Sequence, residues 1–404
     1  MSQTLTEVHI QALRAATPGC QQVIHFNHSG ASLPSQATVT AMIEHMNREA
    51  SQGPMEAAAQ GEMLLENARN TAARLINCVP SSIAFMSSGS AAWGMAFSAL
   101  GAWRRGDRIL VGRHEWGGNL ACMAQAFAAG ASLEVIPCDE SGAVSVSALE
   151  AMIDERVRLI SLTWLPANGG LINPAAAIGT IAKRYGIPYF IDAGQALGQI
   201  SVDVQALGCD VLKGACRKFL RGPRGTALLY IREGFVEKLQ PPFVDVLSAP
   251  RNGESFSPRN DARRFETSEI SLTLIAGLNN ALSEVEALGV ASVSQRIRQL
   301  SSLLRKRMAE VAGLKLQDLG KAHDHSGLVS FTLEGWDALE IKKELAMNGI
   351  NIGANGVAYT PLDMQARGLV NIARISVSHL NTESEIETLL TALREMSNGQ
   401  QKTA

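Results

Sequence analysis

The chain has 404 residues, 46% of them apolar and 18% charged, which is enough to build two or three packed domains and excludes a disordered chain. Its formal net charge of −2 argues against nucleic acid or an anionic membrane as partner. The 6 cysteines form no CxxC pair and have no histidines at zinc spacing, so no metal site is expected, and the thiols read as reduced ones in a cytoplasmic protein.

Residues 1–20 read as a helical arm without the cationic start and apolar core of a signal peptide. Short apolar runs then alternate with helical segments. Strands are expected at 82–86, 107–111, 130–137, 157–165, 188–191, 211–212 and 226–231. Helices are expected at 91–103, 119–129 and 173–185. The helix at 91–103 is too short to span a bilayer, which takes roughly 20 residues. Seven such strands with helices between them predict an α/β fold with a mostly parallel seven-stranded sheet covered on both faces. Prolines at 242, 250 and 258 break the pattern, and a long helical stretch follows over 272–311, interrupted near Gly289. Strands at 328–333 and 372–377, with helices at 336–348 and 383–396, form a smaller C-terminal α/β domain. The expected division is an arm over 1–20, a large domain over 21–260, and a connecting helix with the small domain over 261–404.

Chemistry concentrates at the strand ends. Asp192 closes the strand at 188–191, and Lys218 follows before the turn Gly222-Pro223. A carboxylate and a lysine in that order suit pyridoxal phosphate (PLP). The lysine amine carries the aldehyde as a Schiff base, and the carboxylate keeps the ring nitrogen protonated. Ser87-Ser88-Gly89-Ser90-Ala91 lies between a strand and a helix, where free N–H groups and the helix dipole accept a phosphate, so Gly89, Ser90 and Ala91 are candidate cradle residues. An ordinary serine cap would read the same way. Gln195 is a candidate donor to the cofactor's phenolic oxygen. Asn168, before Gly169-Gly170, fits either that role or a left-handed turn. Trp116 and His114 both follow the strand at 107–111, and position alone does not choose which of them meets a planar ring. Arg374 sits inside an apolar strand, where it needs a partner, and a substrate carboxylate fits its two-point donor geometry.

Together these runs resemble the class V aminotransferases, the branch of PLP fold type I that includes cysteine desulfurases, over about residues 24–396. The resemblance implies phosphate binding at Ser88-Gly89-Ser90-Ala91, ring stacking by Trp116 rather than His114, cofactor contacts from Asn168, Asp192 and Gln195, the cofactor lysine at Lys218, and substrate binding by Arg374. It places Asn27, in Phe26-Asn27-His28-Ser29-Gly30-Ala31, beside the substrate. It implies a homodimer, with residues 264–268 resembling the stretch lent to the partner's site. The departures concern the reaction. Desulfurases carry a nucleophilic cysteine in the C-terminal domain, and here none follows Cys216. Arg217 replaces the usual histidine, Ala215 the usual hydroxyl residue, and one extra residue precedes Gly222-Pro223. Those features are similar to hercynylcysteine sulfoxide lyases and isopenicillin-N-epimerase-like proteins.

The resulting expectation is a PLP enzyme that forms a Cα carbanion on an amino acid and eliminates a sulfur group from Cβ, giving pyruvate and ammonia. Transamination and epimerisation are the alternatives within the family. A non-catalytic PLP-fold binding protein is the alternative of another class, and it predicts loss of the lysine or the aspartate, both of which are present.

Overall fold

The computed structural model describes residues 5–321 and 323–401. The expected arm becomes a helix over Glu7–Ala15 capped by Thr6, with residues 1–4 outside the described residues.

The main sheet contains β1 (Ile83–Met86), β2 (Arg108–Gly112), β3 (Ser132–Ile136), β4 (Val157–Thr163), β5 (Tyr189–Asp192), β6 (Val211–Ala215) and β7 (Ala227–Ile231). Their order is β1-β7-β6-β5-β4-β2-β3. β3, β2, β4, β5 and β6 run parallel, while β7 pairs antiparallel with both β6 and β1. All five residues of β2, β6 and β7 are buried. That is the pattern of strands covered by helices on both faces, and it is why β7 reads as a continuous apolar run. Two apolar clusters cover the faces. One holds Ile160, Ile191 and Leu212, and the other holds Phe190, Val211 and Leu229.

The second core is built on a four-stranded antiparallel sheet of β8 (Leu314–Leu316), β9 (Leu328–Leu333), β10 (Gly353–Gly356) and β11 (Asn371–Ser376), in the order β8-β9-β11-β10. The opening strand Ile24–His25 pairs in parallel with Ile350–Asn351, and Phe26 packs in this second core. Asn27 is thereby bridged to Ser376 at the end of β11. The long helical stretch is two helices, Leu272–Leu288 and Val290–Met308, because Gly289 at φ +75° leaves the right-handed region. Two helices that the residue pattern did not announce, Gln36–Gln52 and Pro54–Leu75, pack with Leu272–Leu288.

Candidate active site

The carboxyl ends of β4, β5 and β6 face β11 of the second sheet across a cavity of about 740 Å³. In open α/β sheets this edge is where ligands bind. Asn27, Gly89, Ser90, Trp116, Asp192, Gln195, Lys218 and Arg374 all line it. Ala91 and Asn168 are the two expected site residues that do not.

Asp192 is the last residue of β5 and is 5% exposed. Its Oδ1 accepts from the Gly194 N–H at 2.9 Å. Its Oδ2 accepts from Asn119 Nδ2 at 3.1 Å and pairs with Lys213 Nζ at 2.7 Å. Burial alone would raise its pKa, but the charges of Lys213 and Lys218 and these hydrogen bonds bring it below the ordinary aspartate value. Behind it lies a second carboxylate, Glu115, which is fully buried. It accepts from Asn119 Nδ2 at 2.8 Å, Thr163 Oγ1 at 2.6 Å, Ser161 Oγ at 2.5 Å and the Trp116 N–H at 2.9 Å. Burial pushes the Glu115 carboxyl up, those donors pull it back, and Asp192 adds to the rise.

Lys218 stands in the turn after β6, and the surface it exposes lines the cavity. Burial lowers its amine to about 7, opposed by Asp192 and reinforced by Lys213, Arg217 and Arg374. The extra residue before Gly222-Pro223 is absorbed by Arg221 in the left-handed region at φ +61°. Its N–H closes a turn on the Lys218 carbonyl at 2.9 Å, and its guanidinium donates to Thr17 Oγ1 at 2.7 Å and to the Leu33 carbonyl at 3.0 Å.

The helix Gly89–Ser98 begins at the cavity wall with Ser88 as its cap. The Ala91 N–H is taken by Ser88 Oγ at 3.0 Å, and Ala91 lines a neighbouring groove, while Gly89 and Ser90 face the cavity together with Ser87 and Ser88. A Cβ on Gly89 would stand 3.4 Å from Lys213 Nζ, so a side chain there would narrow the cradle.

The choice between Trp116 and His114 is visible. Trp116 lines the cavity and tilts against Tyr359 with ring centroids 5.4 Å apart. His114 is buried away from it, 3.4 Å from Asp363, and burial holds its ring at about 4. Asn168 is spent elsewhere. Its Nδ2 donates to Thr360 Oγ1 at 2.8 Å, and its Oδ1 accepts from Asn355 Nδ2 at 2.6 Å. It latches the loop after β4 to the second core rather than facing a ligand here. Gln195 donates to the Ser29 carbonyl at 3.2 Å, and its Oε1 has no hydrogen-bond partner.

Arg374 lies in the interior of β11, 5% exposed. Nη1 donates to the Ala167 carbonyl at 2.8 Å, Nη2 approaches Asn27 Oδ1 at 3.5 Å, and Nε has no partner. Among the described residues no carboxylate pairs with it. Burial lowers it to about 10. A buried guanidinium facing a cavity with open donors is a site for an anion.

Residues 264–268 are divided in their allegiance. Arg264 donates to the carbonyls of Val236 and Leu239 at 2.7 and 2.9 Å. Glu266 pairs with Arg69 at 2.8 Å and accepts from the Phe85 N–H at 2.8 Å. Both are committed within the chain. Thr267 faces a groove of about 680 Å³ beside Ser87. The expectation of a stretch lent to a partner therefore does not extend to Arg264 and Glu266, whose polar groups are consumed by buried backbone and by Arg69.

The residues present fit PLP. A buried carboxylate, a depressed lysine amine and a small-residue helix start share one cavity with an aromatic wall. A model of the family described as aminotransferase class-V matches residues 24–389. The chain belongs to the class V aminotransferases. It is therefore a PLP-dependent enzyme. Among class V relatives it is 27% identical over 361 residues to a cysteine desulfurase of Synechococcus elongatus, covering 88% of this chain but only 57% of the relative. It is also 27% identical over 381 residues to a probable cysteine desulfurase of Xylella fastidiosa, covering 92% of this chain and 90% of the relative. Two solved structures share the class V fold. The apo cysteine desulfurase of Thermococcus onnurineus superposes with a TM-score of 0.88 at 24% identity, over 96% of this chain and 98% of that one. A cystine C–S lyase in complex with its product cysteine persulfide superposes with a TM-score of 0.85 at 22% identity, over 94% and 99%.

One feature of this class V site escaped the sequence reading. The network of Glu115, Asn119 and Thr163 behind Asp192 left no signal, because polar residues at strand ends and helix starts are commonplace. Lys213 did leave one. It is a charge inside an apolar strand, the same mark that singled out Arg374.

Proposed function

We propose that this enzyme is a C–S β-lyase acting on cysteine or an S-substituted cysteine. The balanced reaction takes the amino acid and one water to pyruvate, ammonium and the free thiol. The observation that carries the reading is that the cavity holding Lys218 and Arg374 has no cysteine in its wall among the described residues. The nearest thiol in sequence, Cys216, is buried, and burial pushes it up to about 12. At neutral pH it is not a nucleophile that takes sulfur from a substrate. A β-lyase needs no such thiol, because the sulfur leaves free.

In this reading Lys218 holds the cofactor, Asp192 faces its ring nitrogen, Trp116 covers its ring, Gln195 its phenolic oxygen, and Gly89 and Ser90 its phosphate. When bound, PLP supplies an electron-withdrawing ring conjugated to the substrate's nitrogen. Arg374 and Asn27 bind the substrate carboxylate and fix which Cα bond points at Lys218. The Lys218 amine, which burial lowers to about 7, takes the Cα proton in its neutral form. It then stands ready to return that proton to the departing sulfur. Arg217 and Arg224, also in the cavity wall, add positive charge around the cradle. We place the enzyme in the cytoplasm as a homodimer. The free cysteines suit a reducing compartment, and the exposed apolar residues Ile43, Met46, Met55 and Met63 on the paired helices Gln36–Gln52 and Pro54–Leu75 suit a subunit contact.

The test is product analysis on L-cysteine and a panel of S-substituted cysteines. One pyruvate and one ammonia per substrate consumed, with no sulfur left on the protein, is expected. Alanine with a protein-bound persulfide would replace the lyase by a desulfurase. A keto acid that retains the sulfur would indicate transamination, and racemised substrate would indicate epimerisation.

A further inference from the structure

The cavity wall carries six cationic side chains, Lys213, Arg217, Lys218, Arg224, Lys342 and Arg374, against the single carboxylate of Asp192. Lys213 is neutralised by Asp192 at 2.7 Å. In the reading above, Lys218 is joined to the cofactor and Arg374 meets the substrate's own carboxylate. Arg217 and Arg224 repel each other, and Gly225 beside Arg224 shares a groove with Ser87. That pair therefore belongs to the phosphate end of the cavity, where a phosphate ester brings about two negative charges. Lys342 is left over. No carboxylate pairs with it among the described residues.

Lys342 lies on the helix Ala338–Met347, which buries Ile341 and Leu345 and leaves Lys342 exposed at the cavity mouth. The helix packs on the strand Ile350–Asn351 and on β10 and β11, so Lys342 approaches from the same domain as Arg374. Gly353 of β10 stands opposite Arg374 in register, and a Cβ there would come within 3.1 Å of both Arg374 Nη2 and Asn27 Oδ1. The glycine thus keeps the carboxylate anchor open. A substrate held by Arg374, with its Cα at Lys218, has the cofactor on the side of Ser87 to Ser90. Its Cβ substituent is left the wall of His25, Gly30, Ala31 and Lys342. Gly30 and Ala31 give room there, and Lys342 gives a charge. We infer that the substrate's sulfur substituent ends in a carboxylate, which Lys342 receives. The inference rests on the reading of Lys218 and Arg374 as the catalytic and substrate-binding pair of a β-lyase. Water competes at an exposed lysine, so the preference over a neutral substituent is modest, about two- to fivefold in affinity.

The experiment titrates the holoenzyme with L-α-aminoadipate, in which a methylene replaces the sulfur of S-carboxymethyl-L-cysteine, and with its side-chain amide. Neither has a leaving group on Cβ, so the cofactor's absorbance reads binding rather than elimination. At low salt the acid should bind about two- to fivefold more tightly than the amide. The preference should shrink as salt is raised, vanish in Lys342→Gln and persist in Lys342→Arg. Equal affinities in the wild type, or a preference that survives in Lys342→Gln, overturns the inference. Pyruvate release from S-carboxymethyl-L-cysteine and S-carbamoylmethyl-L-cysteine separates the two levels. Pyruvate from both at equal kcat/KM, with equal binding of the two analogues, sinks only the role of Lys342. No pyruvate from either, with the preference between the analogues intact, sinks the lyase reading and leaves Lys342 as the partner of a side-chain carboxylate.

Discussion

Asn119 Nδ2 donates at 3.1 Å to Asp192 Oδ2 and at 2.8 Å to Glu115 Oε1, so a single amide holds two buried carboxylates in register. Asn119→Ala removes a donor to both and leaves like charges facing each other. Each hydrogen bond to a charged group is worth about 1.5–3 kcal/mol. Unfolding of the holoenzyme in urea should register a loss of that order, with weaker cofactor retention, while the peptide carrying the cofactor stays the same.

Asp192→Asn should keep PLP but lose most of its turnover, because an amide does not stabilise a ring cation as a carboxylate does. It also strands the Lys213 ammonium in a buried site. Breaking a buried pair on one side costs about 3–5 kcal/mol, so a lower melting temperature should accompany the loss. Turnover close to wild type would make Asp192 a structural residue only.

Arg374→Lys should raise KM for carboxylate substrates by about ten- to a hundredfold, the equivalent of about 1.5–3 kcal/mol for a lost charge-assisted contact. Lysine has no planar pair of donors with which to meet a carboxylate while still reaching the Ala167 carbonyl. Steady-state kinetics decides. An unchanged KM would return Arg374 to a purely structural place in β11.

Lys218 gives a pH signature of known sign. Burial lowers its amine from 10.5 to about 7, so between those values the folded apo protein leaves it neutral while the unfolded chain binds a proton. Stability of the apo protein should therefore rise with pH across that window. Lys218→Met should remove that slope, which paired denaturation series at several pH values would reveal. In the working enzyme the amine is released from the cofactor only once substrate is bound and is a base only when neutral, so kcat should climb with pH to a plateau.

Much of this was legible in the residues. Asp192 and Lys218 were singled out by their order with the Ser-Gly helix start before them, and the structure brings all three to one cavity. A buried strand such as β7 read directly as an apolar run, whereas of β6 only residues 211–212 did, because Lys213 and Gly214 interrupt it. β10 did not, since Gly353-Ala354-Asn355-Gly356 has no apolar alternation and is a strand only through its pairing with β11. The opening strand Ile24–His25 was equally hidden, because its partner Ile350–Asn351 lies at the other end of the chain. Local pattern could not separate Trp116 from His114. What separates them is Asp363, a residue of the second domain against which His114 is buried. The partners of Asn168 were out of local reach for the same reason, its amide being bonded to Thr360 and Asn355 from far along the chain.

We propose that Lys218, and not its neighbour Lys213, carries the cofactor opposite Asp192. Both amines lie within 4 Å of one point beside Gly194, so geometry brings either within reach of the same aldehyde. They differ in their surroundings. Lys213 is tied to Asp192 at 2.7 Å, whereas the amine of Lys218 is lowered to about 7 and makes no ion pair among the described residues. Borohydride reduction of the holoenzyme followed by proteolysis and mass spectrometry reads the attachment directly. The pyridoxyl mass is expected on Lys218; finding it on Lys213 would overturn the assignment.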